Sequence, residues 1–218
     1  VSAIPCLQER SYARVTESPK FSTNPVTLGV ASGDPEPDGV VIWTRLAPDP
    51  LGGGGLDPEP IRVKWEISSD ESYSTVVRKG EAPALPQLGH SVHVEVDGLA
   101  PHSWYYFRFH SGAETSPVGR TRTSPAFDAM PDSMRFAFTS CQHYETGYFN
   151  GYPHMQKEDL DLVIHLGDYI YEYAGADKRA RKHLGKEIES LDEYRQRYAQ
   201  YRLDEDLQET HRLFPWLV

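Results

Sequence analysis

The sequence is poor in long apolar runs, in basic residues and in cysteine. No apolar run approaches the roughly 20 residues that a helix needs to cross a bilayer, so we expect no transmembrane segment. The 22 Lys and Arg are outnumbered by 32 Asp and Glu, which gives a formal net charge of −10. A net acidic chain is a poor general binder of DNA or RNA, so an anionic substrate would need a local positive site such as bound metal ions. The two cysteines, Cys6 and Cys141, could pair, but the sequence does not dictate it.

What the chain does have is enough apolar residues for a core: 39% are hydrophobic and 11% aromatic, which excludes global disorder. Its first residues, Val1-Ser2-Ala3, lack an initiator Met and a charged-then-apolar signal. A mature exported protein would begin in this way after its signal peptide is removed, although an expression product cut there would look the same. We therefore expect a secreted protein, extracellular or periplasmic.

The first half of the chain predicts a β-sandwich. Residues 1–21 are polar and irregular, which is typical of an N-terminal arm. Residues 61–67 and 91–96 alternate apolar and polar side chains with a period of two, as half-buried strands do. Several such strands separated by turns indicate an antiparallel sandwich. The turn at Gly98-Leu99-Ala100-Pro101, before an aromatic strand, resembles fibronectin type III domains, so we expect an Ig-like domain over residues 22–126.

From residue 127 the pattern changes to strand, helix, strand. Residues 135–140 form an apolar-rich strand that ends at Cys141, residues 149–159 can form a helix, and residues 162–166 form a compact apolar strand that ends in Gly167-Asp168. Buried parallel strands have this continuous apolar character, and the order of elements indicates an α/β layer. A long helix and the start of another strand follow. We predict an α+β, two-domain fold, in which residues 127–218 are the N-terminal part of an incomplete α/β domain.

Polar residues follow both strands of this layer, at the edge where open α/β sheets bind ligands. The carboxylate of Asp168 can bridge two cations because it has two oxygens. Tyr171, three residues on, can reach the same place with a phenolate oxygen, and the thiolate of Cys141 is a soft ligand that suits iron or zinc. Each residue alone has an ordinary explanation, since a strand-end Cys is usually a small buried residue and an Asp after Gly usually forms a turn. Together they favour a metal site.

These motifs resemble a known family. Gly167-Asp168-x-x-Tyr171 is similar to the second signature block of the calcineurin-like metallophosphoesterases. Within that superfamily the chain resembles the PhoD-type alkaline phosphatase and phospholipase D family over nearly everything after residue 22. The stretches that carry the resemblance are Leu28-Gly29-Val30-Ala31-Ser32-Gly33-Asp34-Pro35, Val41-Ile42-Trp43-Thr44-Arg45, Phe138-Thr139-Ser140-Cys141-Gln142 and His165-Leu166-Gly167-Asp168-Tyr169-Ile170-Tyr171-Glu172.

The resemblance implies a metallophosphoesterase that hydrolyses phosphate monoesters or diesters. Cys141 and Tyr171 would ligate a ferric ion, and Asp168 would bridge it to a second cation, Ca²⁺, with Zn, Mn or Mg as alternatives. Two cations about 3.5–4 Å apart clamp a phosphate and lower the pKa of a bound water, so metal-bound hydroxide would be the nucleophile. The remaining ligands would come from a C-terminal remainder of the same protein, on this chain or a separate one, and activity would need it.

Three further residues are candidates for substrate binding: His143 in the loop after the strand, Asn150 near the start of the predicted helix and Arg179 in the basic stretch 178–183. For His165, inside an apolar strand, we expect a core histidine. Three alternatives remain open. The substrate could be a phospholipid diester, as for secreted phospholipases D of this family. The chain could instead be a non-catalytic fragment or β-sandwich binding module, or Cys6 and Cys141 could form a disulfide with a structural role.

Overall fold

The computed structural model describes residues 15–218, which form eleven β-strands and three α-helices. The strands are β1 (Val30–Gly33), β2 (Gly39–Arg45), β3 (Ile61–Ser68), β4 (Val76–Ala84), β5 (Ser91–Asp97), β6 (Trp104–Ser111), β7 (Glu114–Thr115), β8 (Gly119–Arg122), β9 (Phe136–Thr139), β10 (Leu162–His165) and β11 (Pro215–Leu217). The helices are α1 (Tyr152–Met155), α2 (Leu191–Arg202) and α3 (Glu205–Leu213). None of these helices is long and apolar enough to span a bilayer.

The strands form two sheets. Strands β4, β3, β6 and β7 make one antiparallel sheet in that order, with β8 paired to β6. The other sheet has six strands in the order β5-β2-β1-β11-β10-β9. The first sheet packs against the β5-β2-β1 end of the second. Ile42, Val63, Ile67 and Phe107 lie in the core between them with no exposed surface. On β3, the alternation of Val63 and Ile67 with polar residues is what the sequence predicts for a half-buried strand.

Strand β1 joins the two predicted domains. It pairs antiparallel with β2 on one side and parallel with β11 on the other, where Ser32 aligns with Pro215 and Gly33 with Trp216. A Cβ atom on residue 33 would lie 2.6 Å from the carbonyl oxygen of Trp216, so glycine permits this close pairing. Residues of both predicted domains thus share one sheet. The boundary at residues 126 and 127, and the arm at residues 1–21, stay predictions, and residues 1–14 lie outside the described range.

The three helices cover one side of the β11-β10-β9 end of the six-stranded sheet. Val163 and Trp216 point to that side and pack in a cluster with Tyr152, Tyr201 and Leu207. On the opposite side the sheet presents apolar side chains with large exposed fractions. We call this surface the open face; its exposed members are Phe136 (53%), Phe138 (65%) and Leu217 (38%).

Three elements differ from the sequence prediction. The segment at residues 149–159 forms only the four-residue helix α1, after which the chain continues in turns to Asp161, whose N–H donates to Arg135 O at 2.7 Å. Strand β4 was not predicted because most of its residues are exposed and three of them, Arg78, Lys79 and Glu81, are charged, as is common on a sheet edge. Helix α3 was not predicted as separate from α2. Leu203 and Asp204 separate them, and the Asp204 side chain caps α3 by accepting from the N–H of Leu207.

Candidate metal centre

Two parallel strands deliver the predicted donors to one edge of the sheet. Strands β9 and β10 are hydrogen-bonded neighbours, so their carboxyl ends lie side by side, with Cys141 following β9 and Asp168 following β10. Backbone bonds tie the two loops together. The N–H of Cys141 donates to Gly167 O at 3.1 Å, and the N–H of Gln142 donates to Asp168 O at 3.3 Å. The strand pairing therefore fixes the relative position of the two donors.

Two of the three predicted ligands, Cys141 and Tyr171, approach the same carboxylate oxygen of the third, Asp168. Tyr171 Oη donates to Asp168 Oδ2 at 3.0 Å, and Cys141 Sγ lies 3.6 Å from the same oxygen. Cys141 and Asp168 are exposed and Tyr171 is half-buried, so an ion can reach all three from solvent. Cys141 has no disulfide partner among the described residues, and Cys6 lies outside them.

Both strand-end donors adopt backbone conformations that side chains rarely occupy. The φ angles of Cys141 and Asp168 are 54° and 52°, in the left-handed region. Gly167, with a φ of 123°, allows the chain to turn sharply just before Asp168. Non-glycine residues in this region cost on the order of 1–3 kcal/mol each and cluster at functional sites. The strained backbone aims the thiol and the carboxylate at each other.

The site holds the phenol of Tyr171 in its protonated form when no cation is bound. Partial burial, followed by the hydrogen bonds to Asp168 and Cys141, raises the pKa of Tyr171. Metal ligands must lose their protons, so a cation that binds Tyr171 has to displace this one.

The three candidate donors fit one iron ion and part of a site for a second cation. Thiolate and phenolate oxygen suit iron, and Asp168 has a second oxygen, Oδ1, for a neighbouring cation. Among the described residues, no cluster of three or more His, Cys, Asp and Glu side chains is placed to hold a metal ion. The candidate donors here are therefore Cys141, Asp168 and the phenol of Tyr171. Since calcium alone takes 6–8 oxygen ligands, three donors do not complete two sites.

His143 is the substrate-binding candidate that the structure places beside the donors. Its ring centroid lies 4.5 Å from that of Tyr171, and its Nδ1 accepts from the N–H of Glu145 at 3.2 Å. Asn150 and Arg179 are exposed, and no hydrogen bond links either of them to the three donors. His165 is buried, with 4% of its surface exposed, as a core histidine would be, and burial lowers its pKa.

Most of the basic stretch at residues 178–183 is engaged within the fold. Arg181 pairs with Asp204 at 2.6 Å and stacks over the ring of Tyr144, while Lys182 pairs with Asp177. His183 is buried against Tyr201. A charge run in the sequence therefore gives little guidance to which of its members can meet a substrate.

Sequence reasoning missed the groups that hold the loop after Asp168. Glu145 is buried and accepts from the N–H groups of Ala176 and His183 at 2.8 and 2.9 Å. Arg197, on α2, donates to three carbonyls of the same loop. No sequence motif marks either residue, because each acts on segments distant along the chain.

Comparison with protein families divides the chain in two. A model described as the PhoD-like phosphatase N-terminal domain matches residues 11–125, and one described as PhoD-like phosphatase matches residues 136–218. The chain belongs to the PhoD-like phosphatase family. The family resemblance inferred from the motifs is thereby confirmed.

Individual relatives agree with this assignment. The chain is 55% identical over 209 residues to alkaline phosphatase D from Bacillus subtilis (strain 168), a match that covers 94% of this chain and 36% of that protein. A solved structure of PhoD superposes with a TM-score of 0.90 at 55% identity, covering 92% of this chain and 40% of that one. The expected α+β fold class is confirmed. The chain thus spans about a third of the length of the curated relative.

Proposed function

We propose that this chain supplies part of a two-metal centre that hydrolyses phosphate esters in the complete protein. The observation that carries the proposal is that Cys141 and Tyr171 both contact Oδ2 of Asp168, at the ends of two parallel strands. Family membership and the 55% identity to an alkaline phosphatase D support the reaction class.

Each donor has a distinct role in this proposal. Cys141 and Tyr171 would hold Fe³⁺ through sulfur and phenolate oxygen, and the carboxylate of Asp168 would be shared with a second cation, for which we propose Ca²⁺. When bound, the metal pair supplies Lewis acidity to a phosphate and lowers the pKa of a water. His143 accepts a backbone N–H at Nδ1, so its Nε2 carries the proton and can donate to a phosphate oxygen. Asn150 and Arg179 remain candidates for contact with the substrate.

The whole protein's setting is part of the proposal. Three donors leave two ions incompletely ligated, and the chain spans 36% of the relative's length, so we propose that a C-terminal remainder supplies the other ligands. We also propose that the protein works outside the cytoplasm.

The proposal is tested on the chain joined to, or co-expressed with, that remainder. We expect stoichiometric iron and a visible charge-transfer band. The tyrosinate part of the band should be lost in Tyr171→Phe and kept in Tyr173→Phe, because Tyr173 lies in the same loop, is 52% exposed and makes no hydrogen bond to Asp168. Removal of even an outer-shell partner of a metal ligand costs about 10–100-fold in activity, so Asp168→Asn should lower hydrolysis at least about 100-fold.

The same preparation distinguishes the substrate classes. A phosphomonoester, a bis-aryl phosphodiester and phosphatidylcholine are compared as substrates; preferred cleavage of phosphatidylcholine would assign the phospholipase D alternative. Full hydrolysis by Asp168→Asn, or assembled protein without iron, would refute the proposed centre. A chain that binds neither metal nor the remainder would leave only the binding-module interpretation.

A further inference from the structure

Tyr171 lies in a long loop that must be held in place by something other than secondary structure. Residues 166–190 contain neither helix nor strand. Loops of this length without regular structure are uncommon in compact domains and are usually functional. The direction of the Tyr171 phenol toward Asp168 therefore depends on what fixes the loop backbone.

Arg197 makes the contacts that fix it. The residue lies in the middle of α2 with 2% of its surface exposed. Its guanidinium donates to the carbonyl oxygens of Tyr171, of Tyr173 at 3.1 Å and of Leu184 at 3.2 Å. One side chain thus joins the start of the loop, at Tyr171 itself, to its later part at Leu184.

The guanidinium suits this position better than any other cation. It is planar and presents five N–H donors in a rigid fork, whereas a lysine ammonium is a point charge with three rotating donors. Burial lowers the pKa of Arg197, and the nearby Tyr201, Glu145 and Glu172 oppose that effect. Glu145 also accepts from two N–H groups of the same loop, so a buried carboxylate and a buried guanidinium both hydrogen-bond to the loop backbone.

We propose that Arg197 is a positioning residue for Tyr171. It touches none of the three donor atoms; it fixes the carbonyl of Tyr171 and so keeps the phenol directed at Asp168 Oδ2. The consequence for metal binding rests on the proposed function, whereas the positioning itself does not.

The test uses the chain labelled with 3-fluorotyrosine and observed by ¹⁹F NMR without metal. The resonance of Tyr171, one of 13 tyrosines, is assigned by its disappearance in Tyr171→Phe. In Arg197→Lys we expect this resonance to shift and broaden. The matched control is Arg45→Lys, another buried arginine that donates to backbone carbonyls, of Gly89 and of Arg195 on α2, but to none in the loop at residues 166–190. It should leave the Tyr171 resonance unchanged.

A second readout concerns the metal. In the assembled protein, Arg197→Lys should weaken ferric-ion binding by about 10–100-fold and shift the charge-transfer band, while Arg45→Lys should do neither. An unchanged Tyr171 resonance in folded Arg197→Lys, or an equal change in Arg45→Lys, would overturn the proposal. A change in the ¹⁹F resonance without any iron binding would support positioning and count against the proposed function.

If Arg197→Lys does not fold, the wild-type chain provides the test. Scalar coupling across a hydrogen bond, between an Arg197 guanidinium nitrogen and the Tyr171 carbonyl carbon, is expected together with slow exchange of the guanidinium protons. Exchange as fast as that of an exposed arginine, with no coupling, would refute the inference.

Discussion

The sandwich half and the α/β half of this chain bury their apolar residues to different extents. In the sandwich half two sheets cover each other, and Val63, Ile67 and Phe107 have no exposed surface. In the α/β half, helices cover one side of the sheet, but the open face leaves Phe138 65% exposed. Large apolar patches of this kind usually mark interaction surfaces. Similar apolar strands should therefore contribute unequally to stability, because the contribution of each depends on whether another layer of the fold covers its apolar side chains.

The largest expected effect tests that inequality with a matched pair of phenylalanines. Phe107→Ala should lower the free energy of unfolding by about 3–5 kcal/mol, since it opens a cavity in a closed core. Phe138→Ala should change it by no more than about 0.5 kcal/mol, because the ring is already in water. Urea denaturation followed by tryptophan fluorescence measures both. Equal losses would show that the open face is covered in solution.

A smaller effect comes from histidine burial in the α/β half. Burial, reinforced by Arg197, lowers the pKa of His183 to about 4. Well above the ordinary histidine pKa of about 6.5 the ring is neutral in both the folded and the unfolded chain, and pH has no effect through it. As pH falls from 6.5 to 4 the unfolded chain takes up the proton and the folded chain does not, so stability is lost.

Between pH 7 and pH 5 this loss should reach about 2 kcal/mol for His183 alone. His165 and His211, whose pKa values are also lowered by burial, add to it in the same direction. Urea denaturation at the two pH values measures the loss, and His183→Gln should reduce it by about the same 2 kcal/mol. An identical pH dependence in that variant would show that His183 is protonated in the folded chain.

The smallest effect concerns the first turn of α2, the helix that carries Arg197. Ser190 caps it by accepting from the N–H of Glu193, and the Glu193 side chain accepts from the N–H of Ser190. Ser190→Ala should cost about 1 kcal/mol, whereas Ser190→Asp, which preserves the cap, should cost little. Thermal unfolding compares the two. A cost for both variants alike would assign the loss to something other than capping.

Much of the fold was predictable wherever a segment carries its own pattern. The alternating strands β3 and β5 and the apolar strand β10 appear where the sequence places them. Strand β4 and helix α3 were missed, the first because an exposed edge strand has no apolar stripe and the second because only two residues, Leu203 and Asp204, separate it from α2. The parallel pairing of β1 with β11 has no local signal at all.

For the candidate site, local sequence patterns were enough to name the candidate donors and the strand that each one follows. Cys141 and Asp168 could be placed at the ends of two strands because apolar period and length are local properties. The side-by-side pairing of β9 and β10, which brings Cys141 Sγ to 3.6 Å from Asp168 Oδ2, is visible only in the tertiary structure. The hydrogen bond from Arg197 to the Tyr171 carbonyl is likewise visible only there. Contacts between distant segments depend on the burial and hydrogen bonding of the whole fold, and no short stretch of sequence records them.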